Sequence, residues 1–248
     1  MGTHAVLQGN KKIYDDLQFV MQAFAEVLQR LGEDRLAAVL PWVGNTVVNE
    51  TVSDIAPAKL TQAYSMSFQL LNMVEQNAAA QFRRRTLDEK GSLGIRGSWG
   101  EALAHMQQAG MSVEAMTRHL GSLQVQPVLT AHPTEAKRVT VLALHRELYL
   151  LLVKRENSTY SKDEQAAIAE QIKSLLERWW RTGEIYLEKP DVRSERANVL
   201  HYFTKVFPEA LSYTDQRLTD AWKEAGLPED ALQEVHCFPL LQFGSWVG

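Results

Sequence analysis

The chain has 248 residues, 45% hydrophobic and 23% charged, with 26 basic against 30 acidic residues and a formal charge of −4. That length can bury a substantial core, and the slight negative charge argues against a dedicated nucleic-acid surface while leaving room for a local basic pocket. A single cysteine, Cys237, excludes an intramolecular disulfide; with no membrane-length apolar run and no signal-peptide core, the cytoplasm is the expected compartment and no membrane partner is expected.

The opening reads as helix. Ile13, Leu17, Val20, Phe24, Val27 and Leu31 alternate spacings of four and three, drawing one apolar stripe that Gly32 closes as a C′ residue. Residues 41–57, bounded by prolines, read as a connection, and a second helix is predicted over 58–84. Residues 81–99 carry Arg83, Arg84 and Arg85, then Gly91, Gly94 and Gly97, and read as an exposed loop. The arginine run fits a solvated loop better than a site for a phosphate-bearing effector. Gly94-Ile95-Arg96-Gly97 lacks the strand and helix that a nucleotide-binding loop needs. Short helices are expected over 99–108 and 112–120.

A first strand is predicted over 125–130. A long helix then starts near Pro133, a favoured first-turn residue, and carries Val141, Leu144, Leu148 and Leu151. Ser161-Lys162-Asp163-Glu164 is a capping box, opening a helix through Ile168, Ile172, Leu175, Trp179 and Tyr186 that Pro190 stops. Trp179 and Trp180 read as core and helix surface. A further helix over 194–218 is expected to bend at Pro208, which has no amide to donate. Residues 238–243 read as a second strand, entering the turn Gly244-Ser245-Trp246-Val247-Gly248. Cys237 has no basic neighbour and reads as an inert apolar residue. Two strands so far apart are not expected to form a sheet of their own, so the chain reads as a fragment.

Chemistry concentrates in Val128-Leu129-Thr130-Ala131-His132-Pro133-Thr134-Glu135-Ala136-Lys137-Arg138. Pro133 pushes His132 toward extended backbone, at the junction where a strand hands over to a helix. Such junctions hold the chemistry of α/β folds. By itself His132 has two readings: a hydrogen-bonded structural group, or an imidazole converging with a guanidinium on an anion. Lys137 and Arg138 fit a solvated helix face or an oxyanion clamp, and Glu135 fits a first-turn acid favoured by the helix dipole.

This stretch, with Arg138 and Thr140, resembles the first signature of phosphoenolpyruvate carboxylases. Phe68-Gln69-Leu70-Leu71-Asn72-Met73-Val74-Glu75-Gln76 resembles the family's N-terminal helix. Trp180-Arg181-Thr182-Gly183-Glu184-Ile185, with Lys189-Pro190 and Glu195-Arg196, resembles the segment after that signature, and Phe243-Gly244-Ser245-Trp246-Val247-Gly248 the opening of a glycine-rich motif. The family often carries a second arginine where this chain has Val139, which marks a divergent member.

The resemblance implies a lyase that joins phosphoenolpyruvate and bicarbonate to give oxaloacetate and phosphate, using Mg²⁺ or Mn²⁺, and that is usually a homotetramer. It implies a mainly α chain: the helical N-terminal part of a helix-rich, TIM-like α/β-barrel, with about two barrel strands present. Residues 1–120 would be an N-terminal helical region and 121–248 the start of the barrel region. His132 would be catalytic, contacting carboxyphosphate, with Arg138 and Lys137 in anion support. The metal ligands and phosphate-binding arginines would lie beyond Gly248, so the chain alone is expected to be inactive. The competing expectation is a non-catalytic helical interaction or regulatory protein derived from the same architecture.

Overall fold

The computed structural model describes residues 2–43, 52–126, 128–130, 139–183, 192–233, 235 and 244–246. In chain order these form α1 (Gly2–Arg30), α2 (Asp34–Ala38), a 3₁₀ turn (Val52–Asp54), α3 (Pro57–Lys90), a second 3₁₀ turn (Ser92–Gly94), α4 (Trp99–Gln108), α5 (Val113–Gly121) and β1 (Val128–Thr130). There follow α6 (Val139–Arg155), α7 (Lys162–Thr182), α8 (Val192–His201), a π-helical turn (Tyr202–Val206), α9 (Phe207–Glu224), α10 (Glu229–Leu232) and β2 (Gly244–Trp246). The protein is mainly helical. Among the described residues no helix is long and apolar enough to cross a membrane. Two compact units interleave in sequence: Met1–Phe82 with Lys137–Tyr186, and Arg83–Ala136 with Leu187–Gly248.

The first unit is a bundle built on the periodic apolar residues. Leu17, Val20, Met21, Phe24, Val27 and Leu28 of α1 meet Met66, Leu70 and Val74 of α3, Val141, Leu144 and Leu148 of α6, and Ile168, Ile172 and Trp179 of α7. The end of α1 is a Schellman motif: Glu33 donates its amide to the Leu28 carbonyl at 2.9 Å and Gly32 to Gln29 at 3.0 Å, with Gly32 at φ +75°. The capping box forms as expected, Ser161 Oγ accepting from the Glu164 amide and the Glu164 carboxylate from the Ser161 amide at 2.8 Å.

A half-buried ion cluster ties three of these helices. Lys12 donates to Asp16 at 2.6 Å and Glu156 at 2.7 Å, Arg155 reaches Asp16 at 3.1 Å, and the Asn77 amide donates to Glu156. Burial works to lower the Lys12 pKa, but its hydrogen bonds to Asp16 and Glu156 outweigh that and leave it raised.

In the second unit, Leu103 of α4 and Met116 and Leu120 of α5 enclose Leu218, Ala221 and Trp222 of α9. Ser98 and Ser112 cap α4 and α5. Trp222 Nε1 donates to the Pro228 carbonyl at 2.7 Å, and the Glu224 carboxylate accepts the Ser92 amide at 3.1 Å. That carboxylate occupies the space a side chain on Gly91 would need.

Several expectations change. Helix α3 continues through Arg83, Arg84 and Arg85 to Lys90 instead of giving way to a loop at 81, because the intervening residues are good helix formers and the break comes only at Gly91, with φ +70°. The short α2 arises inside what the sequence left unassigned. The single helix expected over 194–218 is instead α8 and α9 with a π turn, Tyr202–Val206, between them, so Pro208 falls in the first turn of α9, where its missing amide costs no helical bond. The second strand is Gly244–Trp246, where a turn was expected, and it pairs with β1 in parallel, Val128 opposite Gly244 and Thr130 opposite Trp246. Helix α7 ends at Thr182, short of the stop expected at Pro190, because Gly183 at φ +68° leaves the helical conformation. Residues 236–243, Cys237 among them, lie outside the described residues, as does the helix start near Pro133.

Candidate functional site

The parallel pairing of β1 and β2 brings their C-terminal ends, Thr130 and Trp246, side by side at one edge. Two residues beyond Thr130 in sequence comes His132. Residues 131–138, which include His132, Lys137 and Arg138, lie outside the described residues, so the site is defined by the strand that leads into it. The backbone of the next described residue, Val139, begins α6.

Beyond the Lys12 cluster, the described titratable groups whose pKa values are displaced take part in ion pairs and helix caps. Hydrogen bonds from Arg30, then Lys173, hold the Glu170 carboxyl down at about 2. The Glu26 carboxyl is lowered chiefly by the hydrogen bond from Lys173, whose ammonium is raised in return. Glu164 is lowered by the Ser161 backbone amide in the capping box, and Glu114 by its own backbone amide and then Ser112. Arg30 and Glu170 form an exposed ion pair, Glu26 and Lys173 a partly buried one, and Glu164 and Glu114 lie at helix caps.

Among the described residues no three His, Cys, Asp or Glu side chains come together as metal ligands, so those residues do not supply the oxygen-rich set that Mg²⁺ requires. A groove of ≈ 330 Å³ in the first unit is lined by Gln69, Asn72, His145, Arg146 and Tyr149, a set without carboxylates. His145 lies edge-on to Trp179, ring centroids 4.2 Å apart. A second groove, ≈ 320 Å³ in the other unit, mixes Asp215, Lys223 and Glu229 around Trp222.

The other sequence candidates are placed as follows, with the arginine run in helix α3 instead of the expected loop. Arg83, Arg84 and Arg85 are solvent-exposed, Trp179 is core and Trp180 partly buried against it. Gly94-Ile95-Arg96-Gly97 follows a 3₁₀ turn and not a strand.

A family model for phosphoenolpyruvate carboxylase matches residues 8–248. The phosphoenolpyruvate carboxylase of Methylorubrum extorquens is 33% identical over 204 residues, covering 79% of this chain and 21% of the relative. That of Bradyrhizobium diazoefficiens is 32% identical over 200 residues, 80% of this chain and 21% of the relative. That of Gloeobacter violaceus is 27% identical over 248 residues, 96% of this chain and 26% of the relative. The chain belongs to the phosphoenolpyruvate carboxylase family and corresponds to its N-terminal portion. It spans about a fifth to a quarter of the length of these relatives.

Proposed function

We propose that this chain is the His132-bearing portion of a phosphoenolpyruvate carboxylase, a cytoplasmic lyase that forms oxaloacetate as a homotetramer. Residues 1–120 make its helical region and 121–248 open its TIM-like barrel, with β1 and β2 as barrel strands. The observation that carries the reading is the signature from Val128 to Arg138, which runs straight off a strand paired in parallel, in a chain of this family.

The chemistry assigns the roles. A bicarbonate oxygen attacks the phosphorus of phosphoenolpyruvate, the bond from phosphorus to the enol oxygen breaks, and carboxyphosphate and the pyruvate enolate result. Carboxyphosphate then splits to CO2 and phosphate, and the enolate carbon captures the CO2. His132 takes the carboxyl proton of carboxyphosphate as it splits and passes it to the phosphate, work suited to an imidazole near neutral pH. Arg138 and Lys137 hold the anionic oxygens, Arg138 by its planar fork and Lys137 as a point charge. A divalent Mg²⁺ or Mn²⁺ would neutralise the enolate and carboxylate oxygens, held by residues beyond Gly248.

The test is His132→Asn in the complete enzyme. Oxaloacetate formation should fall at least about 100-fold, the scale of general acid–base catalysis, with far-UV circular dichroism unchanged. Near-normal turnover removes His132 from the mechanism. The 248-residue chain alone should form no oxaloacetate.

A further inference from the structure

The two grooves differ in how their polar linings are used. In the second, Lys223 pairs with Glu229 at 3.2 Å and Trp222 donates to the Pro228 carbonyl. In the first, Asn72 and Gln76 share one face of α3, and Arg146 and Tyr149 share one face of α6, with buried Met73 between the polar groups. Among the described residues, the Asn72 and Gln76 carboxamides, the Arg146 guanidinium and the Tyr149 hydroxyl make no hydrogen bond or ion pair. Glu147, beside Arg146 in sequence, pairs with Arg178 at 3.7 Å instead.

A further donor lies against the imidazole of His145, which also lines this groove. Trp179 is 1% exposed, its ring centroid is 4.2 Å from that of His145, and its Nε1–H has no hydrogen-bond partner among the described residues. Buried donors are nearly always satisfied, so an idle one beside an open groove calls for an acceptor.

We propose that this groove binds a small hydroxylated monocarboxylate. No carboxylate lines it, and the guanidinium of Arg146 presents a planar fork that fits one carboxylate in two-pronged contact. A single fixed positive charge balances a single negative one and would leave a phosphate dianion half compensated. The carboxamides of Asn72 and Gln76 and the hydroxyl of Tyr149 each donate and accept, which matches ligand hydroxyls better than a second anion. The volume, ≈ 330 Å³, stands at the small end of ligand sites. The inference uses no residue of 131–138 and does not rest on the carboxylase reading.

D-glycerate is the probe, titrated into the ¹⁵N-labelled 248-residue chain. The side-chain amide signals of Asn72 and Gln76 and the indole signal of Trp179 should shift together and saturate, with a Kd of roughly 1 mM for so small a ligand. Acetate, with the charge but no hydroxyls, and glycerol, with hydroxyls but no charge, should each bind at least about ten-fold more weakly. Arg146→Gln should weaken glycerate by at least about ten-fold and leave the Tm unchanged, because the side chain is exposed and unpaired. Asn72→Ala combined with Gln76→Ala should weaken glycerate and leave acetate as before. Absence of saturable shifts with glycerate overturns the proposal. So do shifts that survive Arg146→Gln, which place the ligand elsewhere, and inorganic phosphate or acetate binding as tightly as glycerate, which makes the groove a site for any oxyanion. None of these readings involves turnover, so their failure leaves the carboxylase assignment standing.

Discussion

Glu170 accepts a two-pronged contact from Arg30, at 3.2 and 3.3 Å, and a third bond from Lys173 at 2.9 Å, and Lys173 also holds Glu26. The sign of the pH effect follows from the direction of the shift. A carboxyl at about 2 in the folded chain, against an ordinary value of 4.5, favours folding above pH 4.5 and loses that contribution as the pH falls toward 2. Urea midpoints measured from pH 5 to pH 2 should therefore fall more steeply in the parent chain than in Arg30→Ala, and 1 M salt should narrow the gap because the cluster is exposed. Parallel slopes would mean the pair contributes nothing. None of this was legible in the sequence: Arg30 and Glu170 lie 140 positions apart and meet only once α1 and α7 pack. His132 stands out in the sequence for the opposite reason, since its neighbours, Thr130 to Arg138, carry the resemblance themselves, and its own placement lies outside the described residues.

Individual helices were readable wherever a local device defines their ends. The Ser161–Glu164 box and the Gly32 terminus depend on residues a few positions apart, so spacing alone predicts them. Ser161→Ala should cost about 1 kcal/mol by denaturant titration, while Ser161→Asp should restore most of it; equal loss in both would show that the cap is not what anchors α7. The errors fell where tertiary or backbone context decides. Three consecutive arginines look like a loop by charge, yet arginine is a good helix former and α3 runs through them. Pro208 suggests a bend inside one helix but not that a π turn ends two residues before it and a new helix starts at Phe207. Gly244 and Ser245 look like turn residues, and only their partners Val128 and Leu129 make them a strand.

Among the described residues the two units have unequal cores. One buries apolar residues from α1, α2, α3, α6 and α7, whereas the other encloses Leu103, Met116, Leu120, Leu218, Ala221 and Trp222. Such a difference predicts departure from two-state behaviour, with α4, α5 and α9 losing amide protection at lower denaturant than α1 and α7. Coincident transitions by hydrogen exchange and circular dichroism would show the units to be one cooperative block.

The interleaved order also governs how the chain is made. Helix α1 cannot cover its apolar stripe until α6 and α7 exist, and α7 ends at Thr182. At the usual rate of about 5–20 residues per second, a ribosome would leave that stripe bare for on the order of ten seconds. During that interval the nascent chain offers a sticky amphipathic segment to any holdase nearby, and a translation stop before residue 182 would leave it permanently so.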